Sequence, residues 1–291
     1  MKLVWRSIVM LVLALPAGIL ARRLRASTSM PARTAFDSLA VILIALVSGA
    51  VSAAPVSAQA RDWSANYGRE HAAVSTNGVE GTWTIDWFSA MWSHAGEGGW
   101  LAAVEHQRRY GLDDVALLTR GYRQVGDWTF GADAAVAPDA DFLCRTAAGG
   151  EVSYRAVGTI VVSGGYHFKR FPSADIQQFE PVVTWYREHG ELQTRWFVTR
   201  DTSPARTSTT FLLRAIYDFG PRLRFAAGGS IGDRIFNIDP SFRGTANGWL
   251  GFTESRLGLT DRDFVVAGIT AAHEQPAFEY VSLTLGYKRV F

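Results

Sequence analysis

The sequence predicts an all-β protein: a transmembrane, antiparallel, up-and-down β-barrel of about 14 strands that follows an N-terminal signal segment. Segments of about ten residues alternate apolar and polar side chains and are separated by turns, the pattern of a strand with one face in lipid. The chain contains 10 Trp, 9 Tyr and 17 Phe, yet its mean hydropathy is only +0.04, since alternate residues of a barrel face its interior. The chain also ends on an aromatic residue, Phe291.

The N-terminal region resembles an export signal. An apolar run at residues 39–47 precedes Ala58-Gln59-Ala60, which has the form of an A-x-A cleavage site. We therefore interpret residues 1–60 as a signal segment and residues 61–291 as the barrel. A second apolar run at residues 8–20 leads us to expect that the true start is Met30, while an N-terminal membrane helix is the alternative.

Charge and cysteine content exclude several functions. Residues 1–60 hold six of the 29 basic residues and one of the 27 acidic residues, so the remaining chain has a formal charge of −3. A chain of this charge is not expected to bind nucleic acid. Cys144 is the single cysteine, which excludes an internal disulfide and a cysteine-based metal cluster. We predict no cofactor and no metal site.

The strands follow one another from residue 62 onward. Alternation is clearest at residues 128–136, 209–219 and 223–231. The predicted strands start near residues 62, 82, 99, 114, 127, 150, 159, 175, 191, 207, 222, 246, 262 and 277.

The lengths of the connections test this count. Short connections at residues 124–127, 156–158, 188–190 and 219–222 interleave with long ones at residues 137–149, 201–206 and 232–245. Short periplasmic turns and longer external loops are typical of outer-membrane barrels, so the first and last strands should share the periplasmic rim. Twelve strands is the alternative, if one weak hairpin near the start is not a true pair.

The last strand carries the expected assembly signal. Val281, Leu283, Leu285 and Tyr287 share one face of residues 280–291. We predict that Tyr287 and Phe291 are read by the barrel-assembly machinery. Arg289 and the more distant Arg120 are expected to point outward, where arginine side chains can reach the interface.

A series of short motifs resembles the YaiO family of outer-membrane β-barrel proteins. It covers about residues 62–291, the whole predicted barrel, and Arg289 departs from the pattern two residues before the end. The resemblance implies a barrel but no reaction, ligand or catalytic residue. The motifs are residues 121–128 (GYRQVGDW), 138–142 (PDADF), 165–172 (GYHFKRFP), 174–175 (AD), 181–186 (PVVTWY) and 285–287 (LGY) with Phe291.

Charged residues on the polar faces of the strands are predicted to line the lumen. We interpret them as a salt-bridged plug, because barrels of this size are often filled by side chains. The alternative is that they tune the selectivity of an open channel. The predicted lumen-lining residues are Glu105, Arg109, Asp133, Lys169, Arg195, Arg214 and Arg224.

The leading functional hypothesis is non-enzymatic: a structural or narrow channel-like envelope protein, with a link to surface polysaccharide as one form of it. His167 and Glu180 are neighbours on one predicted hairpin and could form a general base. The alternative is therefore a hydrolase directed at lipid or lipopolysaccharide. The expected location is the outer membrane, with its lipids, lipopolysaccharide and the assembly machinery as partners. A soluble periplasmic β-sandwich is a third possibility, and the oligomeric state is left open.

Overall fold

A computed structural model describes residues 61–202, 205–233, 247–275 and 278–291. The predictions for residues 1–60 concern a part of the chain outside these ranges. The described residues form fourteen strands that close into one antiparallel barrel. These ranges contain no long apolar helix of the kind that spans a membrane.

The strands are numbered in chain order and range from 9 to 16 residues in length. Their bounds are β1 (Arg61–Thr76), β2 (Val79–His94), β3 (Gly98–Arg109), β4 (Leu112–Val125), β5 (Trp128–Val136), β6 (Thr146–Val157), β7 (Ile160–Arg170), β8 (Asp175–Arg187), β9 (Gly190–Thr202), β10 (Ala205–Asp218), β11 (Leu223–Gly232), β12 (Gly248–Gly258), β13 (Asp263–Glu274) and β14 (Phe278–Val290).

The predicted count of fourteen is confirmed, and the twelve-strand and β-sandwich alternatives are wrong. One predicted long connection is also wrong, because β9 continues to Thr202 and β10 begins at Ala205. Asp201 is a buried strand residue that pairs in register with Arg206. The polar residues at the end of β9 and the start of β10 therefore resembled a loop in the sequence, although Asp201 and Arg206 are paired strand residues.

The barrel is closed by pairing of the first and last strands. The β1–β14 ladder runs from Ser64 opposite Val290 to Thr76 opposite Phe278. Each strand pairs with its two neighbours, so the sheet presents no free edge. The start of β1 and the end of β14 lie at one rim of the barrel, which we call the near rim. The opposite rim carries the Asn77-Gly78 turn, and we call it the far rim.

The two faces of the wall differ in chemistry. On β5, the outward side chains of Trp128, Phe130 and Val136 are exposed, as lipid-facing residues of an isolated barrel should be. Arg120 does not point outward as predicted. It pairs in register with Asp133 and lies 3.6 Å from the Glu151 carboxylate, which places it in the lumen.

Candidate functional site

The connection between β5 and β6 is held inside the barrel by one carboxylate. Asp114 on β4 is 2% exposed and accepts three backbone hydrogen bonds from the connection. Its Oδ1 accepts from the amide of Asp141 at 2.9 Å. Its Oδ2 accepts from the amides of Phe142 at 2.9 Å and Leu143 at 2.7 Å. Bonds to an ionised acceptor are stronger than bonds between neutral groups, so Asp114 is a latch for this connection.

Apolar contacts support the same conformation. Ala116 of β4 packs with Ala137 and Ala140 of the connection, and Leu118 and Leu143 pack against this cluster. These side chains are small, which allows the connection to lie close to the wall. The connection therefore occupies part of the lumen instead of extending away from the far rim.

Aromatic residues fill the lumen near the far rim. Trp83, Phe278 and Tyr280 are each at most 5% exposed, and their rings lie within 6.4 Å of one another, centroid to centroid. The Arg109 guanidinium lies 4.4 Å from the Trp83 ring centroid and 4.9 Å from that of Phe142. A cation stacked between two rings joins the aromatic residues to the latched connection. We call Trp83, Arg109, Phe142, Phe278 and Tyr280 the far-rim plug.

His167 and three charged side chains from three other strands form a cluster. Its Nδ1 lies 3.4 Å from Asp133 Oδ1 on β5, and its Nε2 lies 3.8 Å from Glu180 Oε1 on β8. Arg195 of β9 donates to Glu180 Oε2 at 2.8 Å. The cluster of Asp133, His167, Glu180 and Arg195 thus spans a large part of the lumen wall.

Glycine makes room for the His167 ring. A Cβ atom at Gly149, directly opposite His167 on β6, would lie 2.0 Å from His167 Nδ1. A Cβ at Gly165 would lie 3.3 Å from His167 Nε2. The imidazole therefore lies over a side-chain-free stretch of wall, which fixes its position between the two carboxylates.

The other residues predicted to line the lumen also lie on inward-facing positions. Gln107 donates to Glu105 on β3, and Lys169 donates to Gln178 at 2.9 Å. Arg224 donates to both carboxylate oxygens of Asp218, at 2.6 and 3.0 Å. Arg214 lies opposite Gly228, on the same face as Arg224. Most of these charges are paired or hydrogen-bonded within the wall.

A cavity of about 380 Å³ lies toward the near rim. Arg120 and Glu151 line it together with Met91, Leu101 and Tyr122. More than half of the Arg120 side chain is exposed, in contrast to the buried residues of the far-rim plug. Among the described residues, the lumen side chains are thus more exposed at this cavity than at the far-rim plug.

The hydrolase hypothesis required a nucleophile beside His167. Both His167 nitrogens face carboxylates, and within the described residues these are its polar side-chain partners. The nearest hydroxyl on its own strand face, that of Ser163, donates to Ser153 at 2.8 Å. This geometry can hold a proton or a cation, but it contains no activated hydroxyl.

The residues of the predicted assembly signal lie at the near rim. Tyr287 points outward and donates a hydrogen bond to Asp263. Arg289 also points outward, 3.6 Å from Asp263 and 5.8 Å from the Phe291 ring centroid. Arg289 thus covers the terminal ring while its charge is paired.

Comparison with known families identifies the chain. The model of the YaiO membrane β-barrel domain matches residues 69–232, more than half of the sequence. The chain belongs to the YaiO membrane β-barrel family. The resemblance read from the sequence motifs is thereby confirmed.

The solved structures that are similar to this chain share little sequence with it, and the first one named here has a similar fold. The CymD monoaromatic hydrocarbon channel is 8% identical, with a TM-score of 0.54 over 80% of this chain and 89% of that one. The outer-membrane protein Omp33 of Acinetobacter baumannii is 12% identical, with a TM-score of 0.48 over 80% of this chain and 100% of that one. No curated protein matches the sequence. The YaiO domain places this barrel in the outer membrane. Because short turns are typical of the periplasmic side of such barrels, we expect the near rim to be periplasmic and the far rim external.

The Gly149 position should be intolerant of a side chain. Gly149→Ala would displace His167 and cost about 1–3 kcal/mol of unfolding free energy, measured by urea titration in lipid vesicles. Gly131→Ala is the control, because its Cβ would meet neighbours only at 3.8 Å. In a His167→Ala background the cost of Gly149→Ala should largely disappear; an unchanged cost would show that the ring is not the obstacle.

Cys144 reports which rim is external and how enclosed the connection is. Burial raises the pKa of its thiol, so less thiolate is present at a given pH than in the unfolded chain. On intact cells, a membrane-impermeant maleimide should label Cys144 slowly near neutral pH. The rate should approach that of the unfolded chain as the pH rises through the folded pKa.

The control for this labelling is Cys144→Ser with Asp127→Cys, which moves the thiol to the periplasmic β4–β5 turn. This variant should be labelled only after the cells are lysed. Labelling of Asp127→Cys on intact cells would contradict the assigned orientation.

Proposed function

We propose that this barrel is a narrow passage for small polar solutes, and that the Asp114 latch keeps it closed at its external end. The observation that carries the proposal is the set of three backbone hydrogen bonds from the β5–β6 connection to one buried carboxylate. A connection that served only to join two strands would not need a charged anchor inside the lumen.

The polar lining supports the same proposal. Water-accessible charges at Arg120 and Glu151 continue into the cluster around His167. Ion pairs of both signs along the wall suit small polar solutes better than apolar ones, which gain nothing from such a surface. The far-rim plug then provides the closed state, with the connection as its movable part.

Hydrolysis is a weaker proposal, because the groups that contact His167 are carboxylates and not a hydroxyl nucleophile. A link to surface polysaccharide would require an extended row of sugar-binding groups. The exposed aromatic residues of this barrel belong instead to its lipid-facing wall.

Removal of the latch should open the passage. Asp114→Ala leaves three amide groups of the connection without their acceptor, which favours a conformation in which water solvates them. In planar bilayers we expect low conductance from the unaltered protein and a clearly larger one from Asp114→Ala. Each ~1.4 kcal/mol lost from the latch raises the ratio of open to closed states about tenfold.

Asp139→Ala is the matched control, since Asp139 is an exposed carboxylate of the same connection. It should leave the conductance unchanged. Heat-modifiable migration on a gel verifies that each variant is folded. A folded Asp114→Ala barrel with no current would refute the passage, and equal currents from both variants would refute the latch.

A further inference from the structure

Along the outer wall of β1–β3, the side chains change abruptly from apolar to charged with increasing distance from the periplasmic rim. Trp63, Trp92 and Trp100 lie directly opposite one another and form a row near the periplasmic rim. The next two outward residues on each strand are apolar or aromatic: Ala65 and Tyr67, Ala90 and Phe88, Ala102 and Val104. The outward row after them is Arg69, Asp86 and His106, again directly opposite one another.

This charged row lies within the height of the membrane. Arg69 is six residues beyond Trp63 on the same face of β1. At about 3.3 Å per residue and a strand tilt of about 40°, its Cα lies about 15 Å above Trp63. The apolar band of such barrels is about 25 Å tall, so the row lies in the outer-leaflet half.

The apolar band is taller elsewhere around the barrel. On β13, outward Val265, Ala267, Ile269 and Ala271 are apolar before His273 is reached. On β5, all five outward residues from Trp128 to Val136 are apolar. The early charges are therefore a local property of the wall at β1–β4, where we define an outer-wall patch. Its residues are Arg69, His71, Asp86, His106, Arg108 and Asp113.

Charges facing lipid chains are costly unless they find partners. Within the patch, Arg69 donates to both oxygens of Asp86, at 2.6 and 2.9 Å. Arg108 and His106 share Asp113, at 3.0 and 2.9 Å. These pairs do not use all the N–H donors of the patch. Arg69 donates two of its five N–H groups to Asp86, and its side chain is 62% exposed.

The hydrogen-bond donors of the patch suit an anionic partner. Two arginines and two carboxylates balance in formal charge, while Arg69 and Arg108 keep N–H groups that these carboxylates do not use. The unused guanidinium N–H groups suit a tetrahedral oxyanion, which arginine binds with paired hydrogen bonds. The patch faces the leaflet that carries phosphorylated glycolipid in an outer membrane.

We propose that the outer-wall patch binds the phosphate groups of lipopolysaccharide, which reach down to Arg69 and Arg108 where the apolar band is short. Asp86 and Asp113 hold the two guanidinium groups in place. The bound phosphates accept the remaining guanidinium N–H groups, which lipid chains cannot do. The barrel would thus select a particular lipid at one side of its wall, independently of any transport through its lumen.

The test uses the barrel refolded in uncharged detergent and titrated with bisphosphorylated lipid A, with bound lipids counted by native mass spectrometry. Dephosphorylated lipid A is the comparison ligand. We expect the bisphosphorylated form to bind more tightly, and Arg69→Gln with Arg108→Gln to weaken its binding by about tenfold or more. Arg108→Gln alone is expected to fold like the unaltered protein, because Asp113 keeps His106 as its partner.

The matched control is Arg170→Gln. Arg170 of β7 is an outward arginine near the external rim with the same exposed fraction as Arg108, 58%, and its own partner, Asp175. Its replacement should leave lipid A binding unchanged. Equal binding of both lipid forms, or an equal loss on Arg170→Gln, would overturn the proposal. So would a dimer that is lost in the patch variants while lipid binding persists, since the patch would then join two copies of the chain.

Discussion

Pairing of β1 with β14 is the constraint on which the rest of the structure depends. In hydrocarbon, a backbone N–H or C=O group without a partner costs several kcal/mol, so an open sheet edge is not tolerated. The continuous ladder from Ser64–Val290 to Thr76–Phe278 removes both edges at once. Closure also fixes which residues face inward, because a slip of one residue in any ladder would exchange the two faces.

Closure brings together residues that are far apart in the chain. Trp83 of β2 contacts Phe278 and Tyr280 of β14 only because β1, between them, completes the ring. The far-rim plug then links these aromatic rings through Arg109 to the β5–β6 connection. The interior is thus stabilised by contacts across the lumen, while the wall is stabilised by contacts between sequence neighbours.

The sequence was sufficient for the strands and for local pairs, because alternation and hairpin register are short-range properties. His167 and Glu180 could be placed together since they share the β7–β8 hairpin. Their partners Arg195 and Asp133 come from β9 and from β5, and the contact between Asp133 and His167 crosses β6 at the Gly149 gap, which the sequence shows only as a glycine pair. Arg120 was misplaced because alternation weakens around Thr119. The Asp114 latch gives no sequence signal, as its partners are backbone amides.

The uneven height of the apolar band has a mechanical consequence for the whole molecule. The apolar band of the barrel is shorter at β1–β3 than at β5 and β13. A rigid barrel of this kind cannot match a flat bilayer of uniform thickness around its whole circumference. A membrane-spanning protein can relieve such mismatch at low free-energy cost by tilting or by thinning the bilayer locally. Only one strand separates β5 from β3 and β13 from β1. Because the taller band flanks β1–β3 on both sides, tilting cannot relieve the mismatch there, and the bilayer should be thinner beside β1–β3 than beside β5 and β13.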